Sequence, residues 1–216
     1  DGTNVDRTTP VIVSGLDNVL AIATGTEHTV VLKTDGTVWA WGGNGSGRLG
    51  DGTTYSRNTP VQVNGLGNVA AIAAGYNHTI ALKTDGTVWA WGDNYFGQLG
   101  DGTKTTCYTP VQVKGLSDVA AITAGCFYTV ALKTDGTVWA WGVNTFGQLG
   151  DGTTTTRIEP AKISSLNNVS AIAAGNNHVV ALKADGTVWA WGHNAAGQLG
   201  DGTTNNRSTP VQVVGL

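Results

Sequence analysis

Apolar and polar positions along the chain follow one pattern, written four times over. In the second copy a run of small apolar residues comes first, Val69-Ala70-Ala71-Ile72-Ala73-Ala74-Gly75. A short break, Tyr76-Asn77, separates it from His78-Thr79-Ile80-Ala81-Leu82-Lys83, and Val88-Trp89-Ala90-Trp91-Gly92 follows beyond Asp85-Gly86. Short apolar runs bounded by Gly and Asp predict strands, and no stretch holds a helical period of useful length. Asp-Gly between β-formers predicts a tight hairpin turn with φ > 0 at both central residues. A long loop, Asp93 to Thr109, leads to a fourth strand at Pro110-Val111-Gln112-Val113. Its leading proline predicts the outer edge of a sheet, where a missing N–H is tolerated. Gly115-Leu116 turns the chain back to the next small-residue strand.

Trp39, Trp89, Trp139 and Trp189 recur at a spacing of fifty residues. Four short antiparallel strands repeated at that period predict an all-β protein, a β-propeller of four-stranded blades. The expected organisation is one domain over 1–216, with repeats at 17–66, 67–116, 117–166 and 167–216. The inner three strands occur four times but the outer segment five times, so residues 1–16 are an extra outer-strand segment. Three architectures fit: a four-blade ring, an eight-blade ring completed by a second chain, or an open piece of a larger propeller. The two Trp of each third strand stand at i and i+2, on one face, and are predicted to pack between blades. An open arc would expose such a face, so the expected state is a homo-oligomer.

Composition narrows the function. Only 12% of residues are charged and the net charge is −3, without a Lys/Arg cluster, so no nucleic-acid partner is expected. No apolar run is long enough to cross a membrane, so no membrane partner is expected. The chain begins at Asp1 without a basic-then-apolar leader, which predicts a processed product or an excised piece. Cys107 and Cys126 are a candidate disulfide, which would imply an oxidising compartment; two free thiols are the alternative.

The repeated words Ala-Gly-x-x-His (Gly75–His78), Asp-Gly-x-Val-Trp-x-Trp-Gly (Asp85–Gly92) and Asn-x-x-Gly-Gln-Leu-Gly (Asn94–Gly100) resemble the regulator of chromosome condensation repeat, the RCC1-like propeller family. The likeness covers essentially the whole chain. Its flavour is similar to bacterial repeats such as those of a secreted β-lactamase inhibitor protein. The resemblance implies a seven-bladed propeller that binds other proteins, and a secreted or cell-surface location. The family's eukaryotic founder is a nucleotide-exchange factor that docks on the nucleosome; this acidic chain lacks the basic arm such docking would use.

The four copies serve as their own comparison. They agree in the second and third strands and differ in three stretches: after the first strand, after the third, and before the fourth. Alternating strand direction sends all three stretches to one end of each blade, with the Asp-Gly turns at the other. Loops carried on a rigid frame are where binding residues concentrate. Every Tyr and Phe lies in or beside these loops, whereas all Trp lie in the repeated frame. Tyr and Phe give large, stiff contact area at interfaces. The expected partner-binding residues are Tyr55, Tyr76, Asn77, Tyr95, Phe96, Tyr108, Phe127 and Phe146. Bracing of the loop is the other role open to Phe96 and Phe146.

Other chemistry is not supported. His28, His78 and His178 share one position, with Tyr128 in the remaining copy. They are expected to bond backbone across a turn, because sites spread around a ring do not form a metal-ligand set. Asp51, Asp101, Asp151 and Asp201 lack the alternating ligands of a calcium loop and are expected to cap turn N–H groups. No nucleophile elbow, Cys–His pair or phosphate loop is present. The expectation is a non-enzymatic scaffold, without cofactor or metal, that recognises a protein partner through one rim. Inhibition of an extracellular enzyme is one form of this. The alternative is a structural repeat module, or an engineered near-consensus chain, that self-assembles without a ligand.

Overall fold

The computed structural model describes residues 1–215; the predicted domain end at 216 falls outside them. Sixteen strands form four antiparallel sheets, each a simple up-and-down meander. Blade 1 holds β1 (Val19–Thr24), β2 (His28–Lys33), β3 (Val38–Gly42) and β4 (Arg57–Gln62). Blade 2 holds β5 (Val69–Ala74), β6 (His78–Lys83), β7 (Val88–Gly92) and β8 (Cys107–Gln112). Blade 3 holds β9 (Val119–Ala124), β10 (Tyr128–Lys133), β11 (Val138–Gly142) and β12 (Arg157–Lys162). Blade 4 holds β13 (Val169–Ala174), β14 (His178–Lys183), β15 (Val188–Gly192) and β16 (Arg207–Gln212). The small-residue strands crowd the axis, β1 against β5, β5 against β9 and β9 against β13. Their alanines are what allow that approach.

The hairpin turn differs from expectation. Gly86 has φ +79°, but Asp85 does not adopt a positive φ. The loop is three residues long, closed by Lys83 N–H to Thr87 O at 2.9 Å and Gly86 N–H to Lys83 O at 3.0 Å. One left-handed glycine after a turn of ordinary hand is the next commonest hairpin solution. The aspartate acts through its side chain: Oδ1 accepts from Thr87 N–H at 3.0 Å and from Thr87 Oγ1 at 2.6 Å. Those bonds hold the Asp85 carboxyl below its usual pKa.

The outer strand also differs. It starts at Cys107, so Pro110 lies within β8 rather than at its start. The register shifts between the Ala90↔Val111 and Gly92↔Cys107 pairs, and Pro110 falls in that irregular step. An edge strand at a bulge does not need its N–H.

Among the described residues three apolar cores lie between blades. The first joins Val30, Leu32, Val38 and Leu49 of blade 1 to Val69, Ala81 and Trp91 of blade 2. The second sets Ile80, Val88 and Leu99 against Val119, Ala131 and Trp141, and the third sets Val130, Val138 and Leu149 against Val169, Val179 and Trp191. Four blades closed into a ring would have a fourth. Instead Ile22 of β1 is 73% exposed, while Ile72, Ile122 and Ile172 pack against the three cores. At the opposite end Leu182 is 40% exposed, whereas Leu32, Leu82 and Leu132 are buried. The chain is therefore an open arc, and the single-chain four-blade ring is not formed.

Each boundary is also latched by polar bonds. The Arg48 carbonyl of blade 1 accepts from Thr79 Oγ1 at 2.8 Å and Trp91 Nε1 at 2.9 Å, both of blade 2. The Gln98 carbonyl accepts from Thr129 Oγ1 and Trp141 Nε1, each at 2.9 Å. His28 and His78 contribute from the other side, Nε2 reaching Thr79 Oγ1 at 3.0 Å and Thr129 Oγ1 at 3.2 Å. Because each threonine hydroxyl donates to a carbonyl, the histidine Nε2–H donates to it, and Nδ1 is left buried without a partner. These histidines bond across a blade boundary, not across a turn as expected. At the third boundary the pair changes. Val179 stands where threonine stood, and the single proton of Tyr128 Oη is shared between Gly175 O at 2.9 Å and His178 O at 2.6 Å.

Candidate partner-binding rim

The loop after each third strand is held by a buried asparagine. Asn94 Oδ1 accepts from Leu99 N–H at 3.0 Å, and Nδ2 donates to Asp101 Oδ1 at 3.1 Å and Thr103 O at 3.2 Å. Asn44, Asn144 and Asn194 do the same in their copies. Asp51, Asp151 and Asp201 then bind the next arginine, Arg57, Arg157 or Arg207. Asp51 also accepts from Thr53 N–H and Oγ1, which is the expected turn capping. In the sequence the asparagine stands out only as part of a repeated motif, and neither it nor the arginine is assigned a structural role there, although both recur at fixed spacing.

On this frame the rim side chains of blades 2 and 3 converge. Asp93 N–H donates to Asn77 O at 2.9 Å, tying the loop after β7 to the β5–β6 turn. Gln98 accepts from Phe96 N–H and donates to Asp93 Oδ2, each at 2.9 Å, which fixes the Phe96 backbone. Tyr76 N–H donates to Cys126 O at 3.0 Å, and Cys126 N–H to Asn176 O at 3.1 Å, so three inner turns are linked across blades. Four rings then run in sequence. Tyr76 lies 5.3 Å from Phe127, Phe127 5.4 Å from Phe96, and Phe96 4.9 Å from Tyr95, centroid to centroid. Tyr95 is 70% exposed and Tyr76 42%, while Phe96 and Phe127 are half-buried beneath them. The result is an aromatic ridge across one blade boundary, with two phenol-bearing ends reaching solvent.

The inner end of the ridge borders a depression of about 580 Å³ at the axis, lined by Gly75, Tyr76, Gly125, Cys126, Gly175 and Asn176 among others. The remaining predicted residues lie apart. Tyr108 covers Gly47 of the blade 1 loop, where an added Cβ would fall 2.3 Å from the Tyr108 ring. Tyr55 is 73% exposed, and only its backbone is engaged, its carbonyl by Asn44 and its N–H by Thr53 Oγ1. Phe146 packs at a tilt against His193, ring centroids 4.6 Å apart. Asn77 contributes its backbone carbonyl to Asp93.

The candidate disulfide is not formed; both thiols are free. Cys107 belongs to β8, the outermost strand of blade 2, and Cys126 lines the axial depression. With strands about 4.8 Å apart, an outer strand stands about 14 Å from the inner one, beyond the reach of a disulfide. Burial raises the pKa of both thiols, helped at Cys107 by the Asp101 carboxylate. Among the described residues no group of three or more His, Cys, Asp or Glu side chains converges as a metal site would require.

Four-stranded blades, boundary-latching tryptophans and asparagine-held loops define one class of propeller. The model of the RCC1-like domain matches residues 1–216, and the chain belongs to that family. Among solved structures it is similar to Prp20p of Saccharomyces cerevisiae, at 25% identity and a TM-score of 0.86 over 97% of this chain and 54% of that one. It is similar also to human WBSCR16, at 26% identity and a TM-score of 0.83 over 91% of this chain and 53% of that one. The protein pim1 of Schizosaccharomyces pombe is 42% identical over 41 residues, 19% of this chain and 8% of pim1. The chain thus spans about half the length of these two solved structures. Prp20p is described with binding properties to Gsp1p and histones, and has been solved bound to Kap60.

Proposed function

We infer that this chain is a non-enzymatic scaffold that binds a protein partner through the ridge of Tyr76, Phe127, Phe96 and Tyr95. The observation that carries the reading is the packing of four rings, none of them shared by all four copies, on loops whose backbones are fixed by Asn94, Gln98 and Asp93. A preformed aromatic surface orders little on binding, so its contact area converts efficiently into affinity. Protein binding by family members such as Prp20p supports the class of function. The acidic balance favours a partner other than a nucleosome surface. Presentation outside the cell, with inhibition of an extracellular enzyme, is one form the function would take.

The test is cross-linked capture from extracts of the source cells and their medium, using the wild type and Tyr76→Ala/Tyr95→Ala. The reading expects a partner retained by the wild type and lost by the variant. Equal retention by both would remove the ridge as the site. The near-identity of the copies favours a second reading, a structural module without a ligand. Absence of any partner specific to the wild type would favour that reading instead.

A further inference from the structure

The two open faces of the arc are halves of the boundary that the chain builds three times internally. At the front of blade 1 stand Val19, Ile22, Thr29 and Trp41, the counterparts of Val69, Ile72, Thr79 and Trp91. Val69, Val119 and Val169 are buried at their boundaries, but Val19 is 43% exposed. Trp91, Trp141 and Trp191 are fully buried, but Trp41 is not. At the back of blade 4 stand His178, Leu182, Val188 and Gln198, the counterparts of His78, Leu82, Val88 and Gln98, and each is more exposed than its counterpart.

The polar groups left over on one face are those the other lacks. Among the described residues Thr29 Oγ1 and Trp41 Nε1 donate to no carbonyl, while their counterparts share Arg48 O or Gln98 O. The Gln198 carbonyl, in the matching place on blade 4, accepts from neither a threonine nor a tryptophan. His178 Nε2 has no hydroxyl, while His28 and His78 each hold one. A carbonyl and a histidine on the back of blade 4 therefore answer a threonine and a tryptophan on the front of blade 1.

We propose that the front of blade 1 docks on the back of blade 4 of a second copy of this chain, with His178 on Thr29 and the Gln198 carbonyl on Thr29 and Trp41. The contact is between unlike faces, so it closes a ring when the rotation allows and otherwise extends. Residues 1–16 lie at the rim of the same face: Gly2 N–H donates to Asn58 O at 3.2 Å, as Gly52 does to Tyr108 and Gly102 to Ile158. They repeat the sequence pattern of 201–216, so in the docked pair the Gly202 N–H of one copy takes the place of the Gly2 N–H of the other.

The Tyr128–Val179 boundary supplies the test, because it is a second working version of the same contact. His178→Tyr alone sets a longer ring against a threonine, and Thr29→Val alone leaves His178 without its acceptor. The double variant recreates the Tyr–Val pair, with the new phenol facing the Gly25 and His28 carbonyls of the other copy. Native mass is read by light scattering over a concentration series, with circular dichroism confirming the fold of each variant. The wild type is expected to rise above monomer mass, each single variant to associate about tenfold more weakly, and the double variant to return to within about threefold, the scale of direct pair couplings. A wild type that stays monomeric at every concentration overturns the proposal. So does a double variant no better than the worse single one.

Discussion

The exchange of His–Thr for Tyr–Val at the third boundary makes a quantitative prediction inside one chain. Tyr128→His withdraws a fully buried phenol whose one proton is shared between two carbonyls. Losing this shared bond costs about 1 kcal/mol, and a histidine N–H turned toward the Val179 methyls costs about 1–3 kcal/mol more. A small cavity adds about 1 kcal/mol, for a total of about 3–5 kcal/mol. Val179→Thr alone costs about 1 kcal/mol, because its hydroxyl can turn to Gln148 O, as Thr129 does to Gln98 O. Together the two changes rebuild the pair seen at His78–Thr129, so the double variant should recover about 2 kcal/mol relative to the sum of the singles. Urea unfolding of the four proteins, at a dilution where all are monomeric, measures that coupling. Additivity within about 0.5 kcal/mol would show that the boundary pair is not a unit.

Two further predictions concern the latches and the loops. Burial lowers the pKa of His28 to about 4 and of His78 to about 3, from about 6.5 unfolded. Both are neutral in each state above pH 6.5, where their stability contribution is fully present. It is lost as pH falls through 6.5 toward 4, by about 1.4 kcal/mol per pH unit for each histidine, and urea midpoints at pH 7 and pH 5 should differ accordingly. A His78→Gln variant should show the shallower slope; an unchanged slope would place the sensitivity elsewhere. Cys107 occupies the place of Arg57, Arg157 and Arg207, so Asp101 lacks the arginine its counterparts hold. Cys107→Arg should add about 0.5 kcal/mol, seen as a Tm rise of about 1–2 °C, since such partly exposed pairs are worth little. A fall in Tm would mean that the outer strand cannot seat the arginine.

What the sequence made legible was whatever repeats locally. Strand order, blade class and the shared face of Trp89 and Trp91 follow from side-chain alternation within a few residues. The start of the outer strand was hidden, because Cys107, Tyr108 and Thr109 read as loop until the bulge lets Pro110 sit inside β8. The turn was misread because Asp85 bends the chain with its carboxylate rather than with its φ. The boundary latches were invisible for another reason: His78 meets Thr129 across 51 residues, and nothing local to either marks the other. A comparison between copies carried the signal. Histidine becomes tyrosine only where the next copy's threonine becomes valine. The ridge was half legible, since residue type and rim end were readable but the stacking of Phe96 on Phe127 depends on blade spacing.

Everything proposed for the ends of the arc depends on three boundaries being closed and one open. The most direct measurement compares urea unfolding of Trp41→Ala, Trp91→Ala, Trp141→Ala and Trp191→Ala in dilute solution. Losses of about 3–5 kcal/mol are expected at the three buried positions, with a much smaller loss at Trp41. Four equal losses would mean that blade 1 is already covered in the isolated chain, and would contradict the open arc.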